Sequence, residues 1–259
     1  MPRRPTVIIT GASKGLGLAA AKILLTEYNA NVVALSRTDT LELVELCQAH
    51  ADALLVVKGD VTDATVVSHT VASAIKVYGH IDALILNAAV VTPLGRIADE
   101  EISLDAWKAH FDVNFFSLVT AVRAALPALR ASDLGGRVVF VSSGSATKGT
   151  PTMGPYNASK AAMNSLCRTL AEEEPDVTCV AMRPGTVDTQ MQIQLRELGA
   201  TALDEKVHAM FMNLHTGKKL LKSEDAGYVV ASLSLKSPKS MSGQFVSWDA
   251  DDLKDFRRA

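Results

Sequence analysis

Tyr156 and Lys160, four residues apart, are the pair in this chain best suited to acid–base chemistry. A phenol has an unperturbed pKa of about 10, so it transfers protons poorly at neutral pH unless a nearby cation stabilises the phenolate. Residues four apart on a helix share one face, so a helix here places the ammonium group beside the phenol. Ser142 and Ser143 precede the pair and offer a hydroxyl that could donate to a carbonyl oxygen. Together these residues predict a proton donor for hydride transfer to a ketone.

A glycine-rich turn near the start of the chain predicts a phosphate-binding site. Gly11, Gly15 and Gly17 follow a short β-branched run and open a segment rich in alanine and leucine. We expect Gly11 to allow a tight turn, Gly15 to let the backbone approach a diphosphate, and Gly17 to permit close packing of helix on strand. A helix cap with incidental glycines is the alternative, which the strand–turn–helix context disfavours.

The end of the second predicted strand bears on the choice of dinucleotide. An NAD site places an acidic residue about twenty residues after the turn to hold the ribose 2′-hydroxyl. This chain has Ser36 and Arg37 there instead. Arg37, with Ser13 and Lys14 of the turn, could bind a 2′-phosphate through charge-assisted hydrogen bonds. The pattern favours NADP over NAD, and basic residues that merely face solvent are the alternative.

The elements that must position these residues alternate along the chain. Together they predict an α/β fold: one Rossmann-like domain over 1–259, with a doubly wound parallel sheet of about seven strands and helices on both faces. The predicted strands are 6–10, 31–35, 53–57, 81–86, 137–141, 177–182 and 244–247. The predicted helices are 18–27, 40–50, 63–78, 104–131, 156–173 and 224–235.

The segment 189–222 interrupts this alternation. It follows the end of a strand, where ligands bind in open α/β sheets, and it is rich in methionine and leucine. We therefore predict a small substrate lid in which Met191 and Met210 contribute a soft apolar wall. Ordinary core packing of the same side chains is an equally good reading. We expect the aromatic residues Tyr78, Trp107 and Trp248 to serve packing.

Composition excludes several other functions. The 259 residues are 48% hydrophobic and carry 26 basic against 28 acidic side chains, so no polyanion-binding surface and no nucleic-acid partner are expected. The cysteines form no CxxC, which fits a reducing compartment, and the histidines form no metal-ligand spacing. We find no signal-peptide pattern and no uncharged apolar stretch of about eighteen residues. We expect a cytoplasmic protein without a membrane span or a metal.

The chain resembles the short-chain dehydrogenase/reductase family over almost its whole length. The matching segments, in the family's order, are TGASKGLG at 10–17, DV at 60–61, NAA at 87–89, DVN at 112–114, Ser143 with Tyr156 and Lys160, and PGTVDT at 184–189. The match at 87–89 departs from the family's NNAG, because Leu86 replaces its first asparagine and Ala89 its glycine.

The resemblance implies roles for individual residues. The catalytic set would be Asn114, Ser143, Tyr156 and Lys160. Ser143 would donate to the substrate oxygen and Tyr156 would deliver the proton. Lys160 would lower the pKa of Tyr156 and bind the nicotinamide ribose, and Asn114 would hold a water that links Lys160 to solvent. Ser142 is the less favoured alternative to Ser143.

The cofactor, NADP(H), would contact residues spread over six segments of the chain. These residues are Gly11, Ser13, Lys14, Gly15, Leu16, Gly17, Ser36, Arg37, Asp60, Val61, Asn87, Ala88, Tyr156, Lys160, Pro184, Gly185, Val187 and Thr189. The substrate would contact Ser143, Met191 and Met210.

Within the family, four segments resemble the sepiapterin reductase and benzil reductase branch, particularly its fungal members. They are FDVNFFS at 111–117, VSSG at 141–144, EEP at 173–175 and VDTQMQ at 187–192. This implies an NADPH-dependent reductase of ketones or diketones, with Asp249 or Asp251 as a candidate substrate anchor. An NADP-dependent alcohol dehydrogenase working oxidatively and a dinucleotide-binding regulatory protein without turnover are the alternatives. The family's paired long helices imply a homodimer or homotetramer.

Overall fold

Short β-branched and aliphatic runs form the central sheet, because strands covered on both faces need side chains that are apolar in both directions. The computed structural model describes residues 3–258, and all neighbouring strands in it are parallel, in the order β3-β2-β1-β4-β5-β6-β7. The strands are β1 (Thr6–Thr10), β2 (Asn31–Ser36), β3 (Leu54–Lys58), β4 (Ala83–Leu86), β5 (Arg137–Val141), β6 (Thr178–Arg183) and β7 (Phe245–Ser247).

Helices cover both faces of this sheet. They are α1 (Gly15–Thr26), α2 (Leu41–Ala49), α3 (Ala64–Tyr78), α4 (Leu104–Phe111), α5 (Ser117–Arg130), α6 (Gly154–Glu173), α7 (Gln190–Glu197), α8 (Gly199–Ala202), α9 (Glu205–Thr216) and α10 (Ser223–Lys236). Helices α1, α2 and α10 bury their apolar residues in one core, and α3, α5 and α6 bury theirs in the other. This doubly wound Rossmann-like architecture confirms the predicted fold.

The strand order reverses between β1 and β4, and this reversal fixes where a ligand can bind. From β1 the chain runs outward through β2 to β3, and it then returns so that β4 pairs with the other side of β1. The connections diverge at this point and leave a crevice beyond the carboxyl ends of the two strands. The glycine turn follows β1 directly and therefore lines that crevice.

Helix α1 begins without a side-chain cap, unlike α2, α3, α4 and α9. Asp63 caps α3 by accepting from Thr65 N and Val66 N, whereas Lys14 makes no side-chain cap at α1 and the first turn of α1 carries no acidic residue. The predicted start at residue 18 was three residues late, because glycine is a poor helix former and yet the helix begins inside the glycine turn.

The long helical stretch Leu104–Arg130 contains one π turn, Asp112–Phe116, between α4 and α5. By length and composition alone this stretch would qualify as a membrane span. In the fold, α5 packs on α3 and β4, and its Leu118, Val122 and Leu129 belong to the core of that face. These contacts are those of a core helix in an α/β domain.

A buried carboxylate, Asp82, ties together the amino ends of the strands. It is 2% exposed and accepts hydrogen bonds from both terminal nitrogens of Arg3 (2.7 and 2.8 Å), from Thr6 N (2.8 Å) and from Ser132 Oγ (2.5 Å). Burial alone would raise the pKa of Asp82, but these donors hold it below its usual value of 3.8. Strand β4 begins at Ala83 rather than at the predicted residue 81.

Candidate active site

The glycine turn is held against the end of β4 by contacts that leave no room for side chains. Gly11 and Gly15 have left-handed backbones, with φ of 70° and 55°. A Cβ on Gly17 would lie 2.3 Å from the carbonyl oxygen of Gly11. Asn87 fixes the turn, because its Nδ2 donates to the carbonyl oxygens of Thr10 and Gly11, each at 3.0 Å. A side chain at position 17 would collide with this turn, which agrees with the packing role predicted for Gly17.

The first turn of α1 is prepared to bind an anion. The N–H groups at a helix N-terminus have no partners within the helix and carry partial positive charge, and no side chain caps them here. Gly15 and Leu16 line the crevice, so these groups lie beside it. A diphosphate fits such a site.

The crevice is a cleft of about 870 Å³ that runs from the end of β2, past the glycine turn, to α6 and α7. Every residue predicted to contact cofactor or substrate lines it except Gly17, which lies behind the turn. Of the predicted catalytic residues, Ser143, Tyr156 and Lys160 line the cleft, whereas Asn114 is fully buried behind it. The structure therefore brings together segments far apart in the chain.

The end of the cleft at β2 carries the basic side chain of Arg37 and the carboxylate of Asp60. Arg37 is 65% exposed and lies 3.7 Å from the carboxylate of Asp60, a loose ion pair that leaves most of the guanidinium accessible. The next acid, Asp39, is occupied by Lys58 at 2.9 Å. Lys14 is exposed and also lines the cleft.

Helix α6 places Lys160 at the floor of the cleft. Lys160 is 2% exposed, and its Nζ donates to the carbonyl oxygen of Val141 at 2.8 Å. No carboxylate pairs with Lys160 in the part of the chain that the structure describes. Burial lowers the pKa of Lys160 from 10.5 to about 7.

Tyr156 lies beside Lys160, with the ammonium nitrogen 5.7 Å from the centre of the phenol ring. Burial raises the pKa of Tyr156 above 10, and a hydrogen bond with the Ser143 side chain only partly opposes this. The expectation that Lys160 lowers the pKa of Tyr156 is therefore not met by the chain alone. The physical reason is that burial disfavours both the phenolate and the ammonium that would stabilise it.

The two adjacent serines differ in what they contact. Ser142 Oγ donates to Asn164 Oδ1 at 2.6 Å in the interior. Ser143 Oγ accepts from Ser145 N at 3.1 Å and also hydrogen-bonds with Tyr156. Because side chains alternate along the end of β5, the Ser142 hydroxyl faces the core and the Ser143 hydroxyl faces the phenol of Tyr156.

Asn114 occupies the π turn and is held by a backbone segment that follows β4. Its Oδ1 accepts from Val90 N at 2.9 Å, and its Nδ2 donates to the Val90 carbonyl oxygen at 2.8 Å. The amide is also 2.9 Å from His110 Nε2. This side chain braces the wall of the cleft, and the water that we expected it to hold stays a prediction.

Helices α7 and α9 form the apolar end of the cleft. A small cluster there contains Met153, Tyr156, Leu195 and Phe211, with Met191 packed against it. The predicted Met191 and Met210 line the cleft, as do Leu195 and Phe211 of the predicted lid, and sequence reasoning missed Val91 and Met153. The apolar spacing within 189–222 was the available signal, but it does not say which side faces the cleft.

Three more residues at this end, two polar and one aromatic, line the cleft, although the sequence indicated a role for them only weakly or not at all. Gln192 is 7% exposed and lines the cleft, and its Oε1 has no hydrogen-bond partner among residues 3–258. Trp248, expected only to pack, covers the Gly185 turn and also lines the cleft. Asp249 lines it as well, and a hydrogen bond from Ser247 lowers the pKa of Asp249. Asp251 lies outside, in a terminal 3₁₀ turn.

Comparison with known proteins agrees with this geometry. The family model for short chain dehydrogenases matches residues 5–198. An uncharacterized oxidoreductase of Schizosaccharomyces pombe is 41% identical, over 93% of this chain and 95% of its own length. The benzil reductase ((S)-benzoin forming) of Saccharomyces cerevisiae is 35% identical over 95% of this chain and 97% of its own, which confirms the resemblance to that branch. The crystal structure of the YIR035C short chain dehydrogenase/reductase from Saccharomyces cerevisiae, 35% identical, superposes with a TM-score of 0.92 over 98% of this chain and all of that one. The chain belongs to the short-chain dehydrogenase/reductase family of oxidoreductases, whose fold binds nicotinamide dinucleotides.

Proposed function

We propose that this protein is an NADPH-dependent carbonyl reductase that acts on a ketone or diketone. One observation carries the proposal: Lys160 is a buried ammonium group with no acidic partner among the described residues, placed beside Tyr156 in a cleft that begins at an uncapped helix N-terminus. A buried charge without a partner costs several kcal/mol, so a chain that keeps one has a use for it.

The cofactor would lie along the cleft from β2 to α6. The first turn of α1 would hold its diphosphate, and the turn from Pro184 to Thr189 would hold the nicotinamide end. When bound, NADPH supplies the hydride for the carbonyl carbon.

Arg37 supports the choice of NADP over NAD. The guanidinium is exposed at the end of β2, its pairing with Asp60 is loose, and the exposed Lys14 also lines the cleft. A 2′-phosphate would bind this basic pair through charge-assisted hydrogen bonds. The 2′-hydroxyl of NAD would meet Asp60 there, whose carboxylate already accepts from Thr62 and lies 3.7 Å from Arg37.

Ser143 and Tyr156 would act on the substrate oxygen. As negative charge develops on that oxygen, the Ser143 hydroxyl would donate to it and Tyr156 would deliver its proton. Burial holds the pKa of Tyr156 above 10, so the phenol carries its proton at neutral pH, as a donor must. Lys160 would then compensate the phenolate that remains, since its ammonium lies 5.7 Å from the ring centre.

The apolar end of the cleft supports an aromatic substrate. Met153, Met191, Leu195 and Phe211 surround the space beside Tyr156. Thioether and aromatic side chains of this kind pack well against flat rings. Benzil, the substrate named for the Saccharomyces cerevisiae relative, is an aromatic diketone that fits such a wall. The segment 189–222 would serve as the lid over it.

The proposal includes a second copy of the chain as partner. The α4–α5 stretch leaves Leu104 76% and Phe116 54% exposed, and pairing this face with its copy would remove them from water. A homodimer or homotetramer in the cytoplasm is the expected form.

An activity assay of the purified protein tests the proposal. NADPH and NADH are compared in parallel against benzil, a sepiapterin-like diketone and a simple aryl ketone, with Tyr156→Phe as the matched control. We expect reduction with NADPH and a loss of about 10²–10⁴-fold in kcat for the variant. Tight NADPH binding without turnover of any carbonyl would instead indicate a binding protein. Preferential oxidation of the corresponding alcohols would indicate a dehydrogenase.

A further inference from the structure

His110 is a buried imidazole for which the proposed reaction has no use. It lies on α4, one helical turn before Asn114, and is 2% exposed. Its Nδ1 is 2.7 Å from the carbonyl oxygen of Thr92, and its Nε2 is 2.9 Å from Asn114 Nδ2 and 3.0 Å from Ser159 Oγ. One ring thus joins the segment after β4, the π turn and α6.

Hydrogen-bond chemistry fixes the tautomer of this ring. A carbonyl oxygen can only accept, so Nδ1 must carry the hydrogen that is donated to Thr92. In a neutral imidazole Nε2 is then an acceptor. An amide nitrogen can only donate, so Asn114 Nδ2 donates to His110 Nε2. Burial, with a further contribution from the charge of Lys160, lowers the pKa of His110, which supports the neutral form.

The same logic fixes the amide of Asn114. Nδ2 has two hydrogens, and they go to His110 Nε2 and to the Val90 carbonyl oxygen. Oδ1 is left to accept from Val90 N. A flipped amide would place oxygen against the imidazole acceptor and against a carbonyl, so only one orientation is compatible with neutral His110.

The imidazole also contacts the helix that carries the proton donor. Ser159 Oγ lies 3.0 Å from His110 Nε2 and 3.1 Å from the carbonyl oxygen of Tyr156, and its single hydrogen can be donated to either of these acceptors. The rings of His110 and Tyr156 meet edge to face, with centres 6.3 Å apart. His110 therefore contacts both the Asn114 amide and the turn of α6 that carries Tyr156.

We propose that His110 is a positioning residue for the reductase reaction: its neutral ring holds the Asn114 amide in one orientation and links it, through Ser159, to the turn of α6 that bears Tyr156. This inference rests on the proposed function. It assigns His110 no contact with substrate or cofactor, and the ring is absent from the lining of the cleft.

A matched pair of variants tests the proposal. Glutamine and methionine have nearly the same length and volume, and only glutamine keeps an acceptor that reaches Asn114 Nδ2. We expect His110→Met to lower kcat about tenfold while the KM for NADPH changes less than twofold, and His110→Gln to restore most of kcat. Equal kcat values for the two variants would overturn the proposal.

A double-mutant cycle separates positioning from general destabilisation. In an Asn114→Ala background, the His110→Met change should cost less than about a twofold further loss of kcat, because its target is gone. If the two losses multiply, His110 does not act through Asn114 and the proposal fails.

Side-chain NMR gives a readout that needs no turnover. In protein labelled with ¹⁵N-asparagine, the Asn114 NH₂ signals, assigned from the Asn114→Ala spectrum, should exchange slowly with solvent in the native chain and in His110→Gln. In His110→Met they should exchange at least about tenfold faster. Unchanged exchange would refute the positioning role even if no carbonyl substrate is turned over. Faster exchange with native kcat would refute its relevance to the reaction.

Discussion

Asp82 and Lys160 are buried charges at opposite ends of the same sheet, each 2% exposed, and they differ in what surrounds them. At the amino ends, Asp82 accepts from a guanidinium, a hydroxyl and a backbone N–H. At the carboxyl ends, the ammonium of Lys160 hydrogen-bonds within the described chain only with the carbonyl oxygen of Val141 and a thioether, and the ring of Tyr156 lies 5.7 Å away. The first environment lowers the pKa of Asp82 and favours its charge, and the second lowers the pKa of Lys160 and opposes its charge.

This difference separates a structural ionic group from a functional one. A buried charge with a full set of partners stabilises the fold only if the whole set is present. A buried charge that lacks partners destabilises the fold until another molecule or a developing charge supplies them. Gln192, with its unpartnered Oε1, belongs with Lys160 on the functional side of the comparison.

Removal of the Asp82 charge should have the largest effect on stability. Asp82→Asn leaves Arg3 without its buried partner, and we expect a loss of about 3 kcal/mol in the free energy of unfolding, measured by urea denaturation. Asp133→Asn is the control, because that carboxylate also contacts Arg3 but is 74% exposed, and it should cost under about 0.5 kcal/mol. Equal losses of unfolding free energy in the two variants would show that the buried carboxylate matters no more to the fold than the exposed one.

The pH dependence of Lys160 should have opposite signs for stability and for activity. Its pKa is 10.5 when unfolded and about 7 in the fold, so between these values the unfolded chain binds the extra proton and the Lys160 contribution to stability rises with pH. The reaction needs the protonated form, so kcat/KM for NADPH should fall about tenfold per pH unit above about 7. Rate and unfolding profiles that rise together would contradict this account.

Loss of the Arg37 guanidinium should weaken the preference for NADPH over NADH by about one order of magnitude. In Arg37→Ala we expect the KM for NADPH to rise about tenfold, the equivalent of one charge-assisted hydrogen bond, with the KM for NADH unchanged. Lys22→Ala, an exposed cation elsewhere on α1, is the control. A similar rise for both dinucleotides would show that Arg37 does not read the 2′-phosphate.

Replacement of the Gln192 amide should have the smallest effect of these changes on stability and on KM. Gln192→Leu removes an unpartnered buried oxygen, so without ligands we expect about 1 kcal/mol of added stability together with a higher KM for the carbonyl substrate. Thermal unfolding and initial rates are compared with Gln48→Leu, an exposed position on α2. Lower stability of Gln192→Leu would mean that the amide has a protein partner after all.

The comparison also shows which parts of the molecule were predictable. Gly11, Gly15, Tyr156 and Lys160 fall in local patterns whose spacing is set by a turn or a helix, so sequence was enough to place them on one cleft. The alternation of strands and helices along the chain followed from the same local periodicity. The roles of these residues in cofactor binding and catalysis remain predictions from the sequence.

Features formed by contacts between distant segments were not predictable. The Asp82 group joins Arg3, Thr6 and Ser132, and no local pattern marks such a set. The pKa of Tyr156 was expected to be low from the neighbouring cation, whereas burial raises it and only the hydrogen bond of Ser143 opposes this. Burial is a property of the whole fold, which spacing along the chain does not give.

The most direct test of the account is Lys160→Met, measured for unfolding and for turnover in the same preparation. If Lys160 is an uncompensated charge kept for chemistry, the variant without ligands should unfold at a free energy equal to or above that of the native chain. Its kcat should fall at least about 10²-fold. A variant that loses stability and keeps its turnover number would show that Lys160 is a structural group, and the account would be wrong.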